Sequence, residues 1–175
     1  MFNNLRLKIR DSKQRGGGRM KKLVLAVTHV GAVLLGFALG IYFLPILIAP
    51  DTPDIAAVEA AQINGARFEA RFDKDRKDSD AFHWGEGVIK VFDDTIVFEG
   101  EMAPGPDYRL YLTTEYVETE DAFWRIKDQS TQAGSIKTFD GFVLENVSAI
   151  ESAEYNSVVV WCERFSQFIT SAKLR

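Results

Sequence analysis

Hydrophobic and polar positions divide the chain into two unlike parts. Residues Leu23 to Ala49 form an apolar run of 27 residues that contains no Asp, Glu, Lys or Arg. An α-helix rises about 1.5 Å per residue, so roughly 20 residues already cross the hydrocarbon core of a bilayer. Pro45 and Pro50 are expected to kink and then end the helix at its outer side. The pattern predicts one transmembrane helix over residues 23–49.

Beyond residue 64 the pattern changes to short runs rich in β-branched and aromatic residues, separated by Gly, Asp and Pro. Short strands at this spacing predict an all-β domain, a β-sandwich or barrel. Residues 157–163 are apolar on both faces, so this strand is expected to lie centrally between two layers. The predicted strands are 87–92 and 95–99 across the two-residue loop Asp93-Asp94, 108–113, two short strands within 135–147 about Asp140-Gly141, 157–163, and a last strand within 165–174.

Four segments follow from these patterns. They are a basic cytoplasmic tail over residues 1–22, the transmembrane helix over 23–49, a stalk over 50–64 and one β domain over 65–175. The stalk is expected to contain a short helix capped by Asp51 or Thr52. The β domain is too short to divide into two cores.

Charge is distributed unevenly about the apolar run. The first 22 residues carry eight basic residues and one acidic residue, a net charge of +7, whereas residues 51–175 carry 13 basic and 24 acidic residues, a net charge of −11. Basic flanks remain on the cytoplasmic side of a membrane. The sequence therefore predicts a single-pass protein of the inner or plasma membrane, with a cytoplasmic N-terminus and a periplasmic or otherwise extracytoplasmic acidic domain.

A cleaved signal peptide is the alternative, because Met20-Lys21-Lys22 before an apolar stretch resembles the start of one. The apolar run is longer than the core of about 7–15 residues that is typical of a signal peptide. Pro50, a poor residue after a cut, follows the small residue Ala49. These features favour an uncleaved anchor, whether translation starts at Met1 or at Met20.

Two features of the predicted transmembrane helix are candidates for function. Ala32, Gly36 and Gly40 recur every four residues on one helix face, which is typical of homodimers with close backbone contact but also common in membrane helices generally. His29 is the ionisable residue of the span. Its position, about one turn from the interface, favours a tolerated neutral side chain over a functional one.

The residue inventory excludes most motif-based functions. With two histidines and one cysteine, the sequence offers no His-rich metal cluster and no paired-cysteine zinc or haem-attachment motif, and no Gly-rich phosphate loop follows a strand. Residues 73–80 resemble a calcium loop, but Asp78 stands where that loop needs Gly and Trp84 where it needs Glu. The net negative charge disfavours nucleic acid. We expect no metal site, and no hydrolase, transferase or nucleotide-binding motif is recognisable.

Cys162 is the residue that could carry redox chemistry. A single cysteine in an oxidising compartment cannot form an internal disulfide. It closes the most apolar strand and is followed by Glu163 and Arg164, which act in opposite directions on a thiolate. Two interpretations stand open, a buried small hydrophobic residue and a functional thiol or cofactor ligand.

Three sequence blocks carry a resemblance to a known family. The block YNSVVVWCERF over residues 155–165, with Ala172-Lys173-Leu174 after it, closely resembles the C-terminal signature of the DM-thirteen domain family. Its specific part is the pair Trp161 and Cys162. Two further blocks, HWGEGV over residues 83–88 and GPDY over residues 105–108, are similar in order and spacing. Their matching positions are His83, Gly87, Gly105, Pro106 and Asp107.

This resemblance covers roughly residues 65–175 and implies an all-β extracytoplasmic module, often joined to haem-binding and cytochrome-b-type domains. It implies Cys162 as the redox residue, as bare thiol or prosthetic-group ligand. Haem or another prosthetic group is the implied cofactor, and an envelope redox or cytochrome-type protein the implied partner. Residues 139–143 depart from the family pattern, so no ligand contact is carried over there. No haem or cytochrome domain is evident in this sequence, which weakens the electron-transfer interpretation.

Two functions from different classes remain. The first is a membrane-tethered extracytoplasmic electron-transfer module centred on Cys162. The second is a non-catalytic binding or structural β-domain of the cell envelope, in which Cys162 is a buried core residue. Accessibility of the thiol in the folded domain separates the two.

Overall fold

The computed structural model describes residues 3–148 and 155–175, with side chains described for 18–148 and 155–175. The chain divides into two compact units, Met1–Ile41 and Tyr42–Arg175. Each unit is described by itself below.

A long helix, α1, begins at Asn3 and ends at Leu47. It starts well before the predicted residue 23, so the basic segment is helical as well. Its part Gly18–Leu47 has 30 residues, and the most apolar stretch of 18 residues within it has a mean hydropathy of 2.3 and no buried residue. Within the described part of the chain, this is the one helix long and apolar enough to cross a membrane. Pro45 lies inside α1, and the helix ends before Pro50.

The second unit is a β-sandwich of two antiparallel four-stranded sheets, which confirms the predicted fold class. The strand orders are β1-β2-β3-β6 in the first sheet and β5-β4-β7-β8 in the second. The strands are β1 Phe68–Phe72, β2 Gly85–Val91, β3 Ile96–Met102, β4 Tyr108–Thr113, β5 Thr131–Ile136, β6 Phe142–Leu144, β7 Ser157–Cys162 and β8 Gln167–Lys173. Two short helices, α2 Ile55–Ala60 and α3 Glu120–Ile126, and a 3₁₀ turn at Lys127–Gln129 complete the elements described.

Strand β7 lies between β4 and β8, and all six of its residues are buried. One face packs into the core between the sheets, and the other packs against an aromatic cluster that contains Phe123 of α3. The central, doubly covered strand predicted from its apolar run is therefore confirmed. The predicted hairpin is also confirmed, because β2 and β3 pair in register around Asp93 and Asp94.

The two short strands predicted about Asp140-Gly141 are β5, which begins earlier than expected at Thr131, and β6, and they belong to different sheets. Strand β5 pairs with β4 in the second sheet, whereas β6 pairs with β3 in the first. Residues 137–141 therefore connect the two sheets instead of closing a hairpin. Phe142 draws its strand into the first sheet, since its ring packs 5.2 Å from that of Phe98.

The predicted stalk is docked onto the β domain. Helix α2 is capped by Asp54, whose side chain accepts a hydrogen bond from the Ala57 N–H at 3.1 Å, and not by Asp51 or Thr52. The Thr52 hydroxyl instead donates to Asp140. Lys90 Nζ lies 2.8 Å from a carboxylate oxygen of Glu59 in α2. These contacts hold residues 52–60 on the β domain.

Candidate functional site

Cys162 is the last residue of β7, at one end of the sandwich. It pairs with Tyr108 of β4 on one side and with Gln167 of β8 on the other. Its side chain belongs to the core between the sheets, and the residue is 2% exposed. The thiol therefore lies inside the sandwich, next to the point where the chain leaves the core.

Two turns lie beside the end of β7. The backbone N–H groups of Phe165, Asp107 and Arg164 lower the pKa of the Cys162 thiol. Two of them belong to the turn over residues 163–166, and the third to the Gly105-Pro106-Asp107 turn. The Glu163 N–H donates to the Asp107 carbonyl at 2.9 Å and ties the two turns together. The two blocks singled out in the sequence therefore meet at the thiol.

Burial raises the pKa of the Cys162 thiol above its ordinary value, and the three amide donors offset this only in part. The Asp107 carboxylate adds to the increase. Because the thiolate is the nucleophilic form, the thiol is protonated and unreactive at neutral pH while it stays covered. We call the turn over residues 163–166 the covering turn. If this turn moved away, the thiol would be exposed, and burial, the largest cause of its raised pKa, would be removed.

Tyr108 forms the wall beside the thiol. It is buried, and burial raises the pKa of its hydroxyl. A Cβ added at Gly105 would come within 2.2 Å of the Tyr108 ring, so glycine lets the turn lie flat on that ring. The ring of Phe139 packs edge-on against the Tyr108 ring, and the centroids of these two rings are 5.9 Å apart.

Trp161 points to the opposite face of the sheet. Its ring contacts Phe123 at 5.0 Å and Trp124 at 5.4 Å between centroids. It is fully buried, and its Nε1–H has no hydrogen-bond partner among the described residues. Of the two signature residues, Trp161 therefore lies in the aromatic cluster and Cys162 lies in the core between the sheets.

A polar group at the edge of the aromatic cluster was not predicted from the sequence. The Tyr111 hydroxyl donates to Glu163, and Lys127 Nζ lies 3.0 Å from the same carboxylate. Burial alone would raise the pKa of Glu163, but these two partners hold it below its ordinary value. The turn over residues 163–166 is therefore anchored at its first residue. The signal in the sequence that could have pointed to this group is the acidic residue Glu163 directly after Cys162.

The remaining signature positions have local structural roles. The His83 ring pairs with Asp80 at 3.0 Å. Gly87 has φ +147°, and a Cβ there would come within 2.3 Å of the Glu99 carbonyl oxygen across the hairpin. Asp107 pairs with Arg109 at 2.8 Å. Pro106 is exposed in its turn.

The small-residue face of α1 is open in the single chain. A Cβ added at Gly36 or Gly40 would meet nothing within 4 Å, and Ala32 is exposed. Self-association through this face stays a prediction. The His29 ring bonds to the Leu25 carbonyl of its own helix at 2.8 Å.

Among the described residues, no three His, Cys, Asp or Glu side chains come together as candidate metal ligands. A haem ligated by Cys162 does not fit this arrangement, because the residue is 2% exposed and its side chain is packed in the core between the sheets. A pocket of about 500 Å³ in this unit is lined by Trp84, Phe139 and their neighbours, and Cys162 is not part of its wall.

Comparison with known proteins gives one match. No curated protein and no solved structure matches the chain. The model of the family described as electron transfer DM13 matches residues 71–174, which is more than half of the chain. The match contains the turn at Gly105, the buried Trp161 and Cys162 itself. The chain belongs to the electron transfer DM13 family.

Proposed function

We propose that this protein is a membrane-tethered, extracytoplasmic electron-transfer module whose redox group is the Cys162 thiol. The observation that carries the proposal is the position of Cys162 at the end of β7, where the Glu163 N–H donates to the Asp107 carbonyl and ties two signature turns together. Backbone N–H groups of these turns lower the pKa of the thiol, although burial raises it by more. The family match supports the redox class independently.

The covering turn gives the thiol a resting and a reactive state. Arg164 and Phe165 at its tip are exposed, and Ser166 holds a left-handed backbone with φ 53°. A non-glycine residue in this region stores strain. Opening the turn exposes the sulfur and, by removing its burial, lowers the pKa of the thiol towards the ordinary range.

The chemistry that this arrangement supports is thiol–disulfide exchange. The Cys162 thiolate attacks a disulfide of an envelope redox protein, so that one S–S bond forms and one breaks. The departing thiolate takes up the proton that Cys162 lost. A thiolate of a second envelope protein that carries a dithiol then attacks the Cys162 sulfur and releases the first protein with both of its thiols reduced. The second thiolate of that dithiol displaces Cys162 as its own S–S bond closes, so that two electrons pass from the dithiol protein to the disulfide protein and Cys162 returns to its thiol form.

Alkylation of the full chain in a neutral detergent tests the thiol. We expect slow reaction of Cys162 with iodoacetamide under native conditions, with a rate that saturates at high reagent because opening of the turn is limiting. Below saturation the rate should rise with pH, because the thiolate fraction of the open state then governs it. Ser166→Gly relieves the strain of the closed turn and should slow the reaction roughly five-fold, from about 1 kcal/mol of backbone strain. Cys162→Ser is the unlabelled control.

The second candidate is a non-catalytic binding or structural β-domain, and the 2% exposure of Cys162 favours it. On this account Cys162 reacts only at the rate of global unfolding. It then forms no mixed disulfide with oxidised glutathione, as measured by intact mass. That combination would contradict the redox proposal.

The tether rests on the apolar helix and the charge asymmetry. The basic N-terminal segment supports a cytoplasmic N-terminus under the positive-inside rule. A reporter that is active only outside the cytoplasm, fused after Arg175, should be active. Cytoplasmic activity of that fusion would reverse the orientation. A mature chain lacking α1 would show a cleaved signal instead.

A further inference from the structure

A pocket of about 500 Å³ lies where the chain leaves α1 and meets the β domain. One wall comes from Ile46, in the last turn of α1, and from residues 49–52, which follow the helix. The other walls come from Trp84, the end of β3 and the loop that joins β5 to β6. The pocket is separate from the Cys162 site, whose sulfur is not part of its wall.

The walls of this pocket are fixed by hydrogen bonds between its segments. The Met102 N–H donates to the Phe139 carbonyl at 2.8 Å, and the Ala103 N–H donates to the Trp84 carbonyl at 2.9 Å. Thr52 donates to Asp140 and closes the wall that follows α1. The space is therefore bounded by segments that are bonded to one another.

The lining combines an apolar floor with acidic groups. Trp84, Met102 and Phe139 contribute aromatic and thioether surface. Asp51, Glu101 and Asp140 are exposed carboxylates in the same wall. Among the described residues that line the pocket there is no lysine, arginine or histidine. Carboxylates beside an aromatic surface match an organic cation, which aromatic faces also attract.

We propose that this pocket binds an ammonium group carried on an apolar chain. The ammonium charge complements Asp51, Glu101 and Asp140, and the chain covers the apolar floor. If α1 spans a membrane, as the proposed function holds, the pocket opens beside the outer surface of the bilayer, where such amphiphiles concentrate. The inference uses that tether for the source of the ligand and is independent of Cys162.

Indole N–H resonances of the full chain in a neutral detergent report binding at this pocket. Trp84 lines it, whereas Trp124 and Trp161 belong to the aromatic cluster on the second sheet and serve as internal controls. Dodecyltrimethylammonium at a submicellar concentration should shift the Trp84 resonance in a saturable manner. Dodecyl sulfate and dodecyl maltoside should shift it weakly. Equal shifts with all three probes, no shift, or equal shifts of all three tryptophans would overturn the proposal.

Matched carboxylate variants test the charge complementarity. Glu101→Gln should weaken binding of dodecyltrimethylammonium about two- to five-fold, as expected for one exposed charge pair. Glu145→Gln removes an exposed carboxylate outside the pocket and should leave the affinity unchanged. Asp51→Asn is a second variant in the wall, should Glu101→Gln disturb the fold. An unchanged affinity in both pocket variants would contradict the assignment.

Vesicles separate the two sources of the ligand. With the chain reconstituted in neutral vesicles, addition of a lipid with a primary amine headgroup and no net negative charge should shift Trp84 if the ligand is a membrane lipid. A response to the soluble probe alone would assign the pocket to a free amphiphilic amine.

Discussion

The two faces of strand β7 show how adjacent residues of one signature serve different purposes. Trp161 points outward into a cluster of aromatic rings beneath α3, where shape and contact area dominate. Cys162 points inward to the end of the core, beside two turns that a hydrogen bond from Glu163 to Asp107 ties together. The packed aromatic ring stabilises the sheet, whereas in the proposed function the thiol carries the chemistry. The proposed function thus separates stability on the outer face from chemistry on the inner one.

The largest effect is expected on the outer face. Trp161→Ala should lower the free energy of unfolding by about 3–5 kcal/mol, because it leaves a cavity in the aromatic cluster. Trp161→Phe should cost clearly less, since it also removes an indole N–H that has no described partner. Trp124→Ala, at a residue that is 49% exposed, is the matched control and should cost far less. Chemical denaturation of the three variants measures the order, and a costlier Trp124→Ala would reverse the comparison.

An intermediate effect is expected where the Gly105 turn lies against Tyr108. Gly105→Ala forces the new Cβ against the ring and should cost about 1–3 kcal/mol, as overpacking does. Because that ring neighbours Cys162, native alkylation of the thiol should also become faster. Gly65→Ala is a control without a steric clash, since nothing lies within 4 Å of its Cβ, although its φ of +68° carries its own strain. An unchanged alkylation rate in Gly105→Ala would separate Tyr108 from the covering of the thiol.

A smaller effect distinguishes an amide-lined thiol from an apolar one. The hydroxyl of Cys162→Ser can accept the amide hydrogen bonds, so this variant should be at least as stable as Cys162→Ala. In an apolar core without donors, serine would be less stable than alanine by about 1–2 kcal/mol. Urea unfolding of both variants measures the difference. A clear disadvantage for serine would show that no backbone N–H donates to the side chain at this position.

The smallest effect concerns Glu163 and acid. Its pKa is below the ordinary value because Tyr111 and Lys127 outweigh its burial. Its contribution to stability is therefore present above the ordinary carboxyl pKa of 4.5 and is lost as the pH falls through the lower folded-state value. Glu163→Gln should remove about 1 kcal/mol or less at neutral pH and flatten the acid limb of the pH–stability curve. An equal acid limb in both proteins would show that the group is not coupled to folding.

Much of the fold followed from local pattern. The apolar run of β7 and the Asp93-Asp94 hairpin have a local cause, and both were predicted. Strand β1 was missed although Phe68, Ala70 and Phe72 alternate with charged residues, and α3 was missed although Thr119 caps it before two acidic residues. Both elements could have been predicted from these local patterns. The strand that pairs with β6 could not, since the choice of sheet depends on contacts between distant residues such as Phe142 and Phe98.

The candidate site was predictable in its residues but not in its geometry. The resemblance pointed to Cys162 and to the Gly105-Pro106-Asp107 turn as separate blocks. Their meeting depends on β4 pairing with β7, which brings Tyr108 opposite Cys162. Backbone N–H groups carry no sequence signature, so their effect on the pKa of the thiol could not be foreseen. The contact between Tyr111 and Glu163 likewise depends on the register of these two strands.

The oxidation state of Cys162 in the native envelope tests the central claim most directly. Membranes that contain the full chain are equilibrated across a series of glutathione redox buffers and quenched with acid. Free thiols are then alkylated, and the intact mass of the chain is measured. A redox thiol predicts that the fraction in mixed disulfide rises with the oxidising poise and returns to the thiol form on reduction. A Cys162 that stays a free thiol across the whole series would contradict the account.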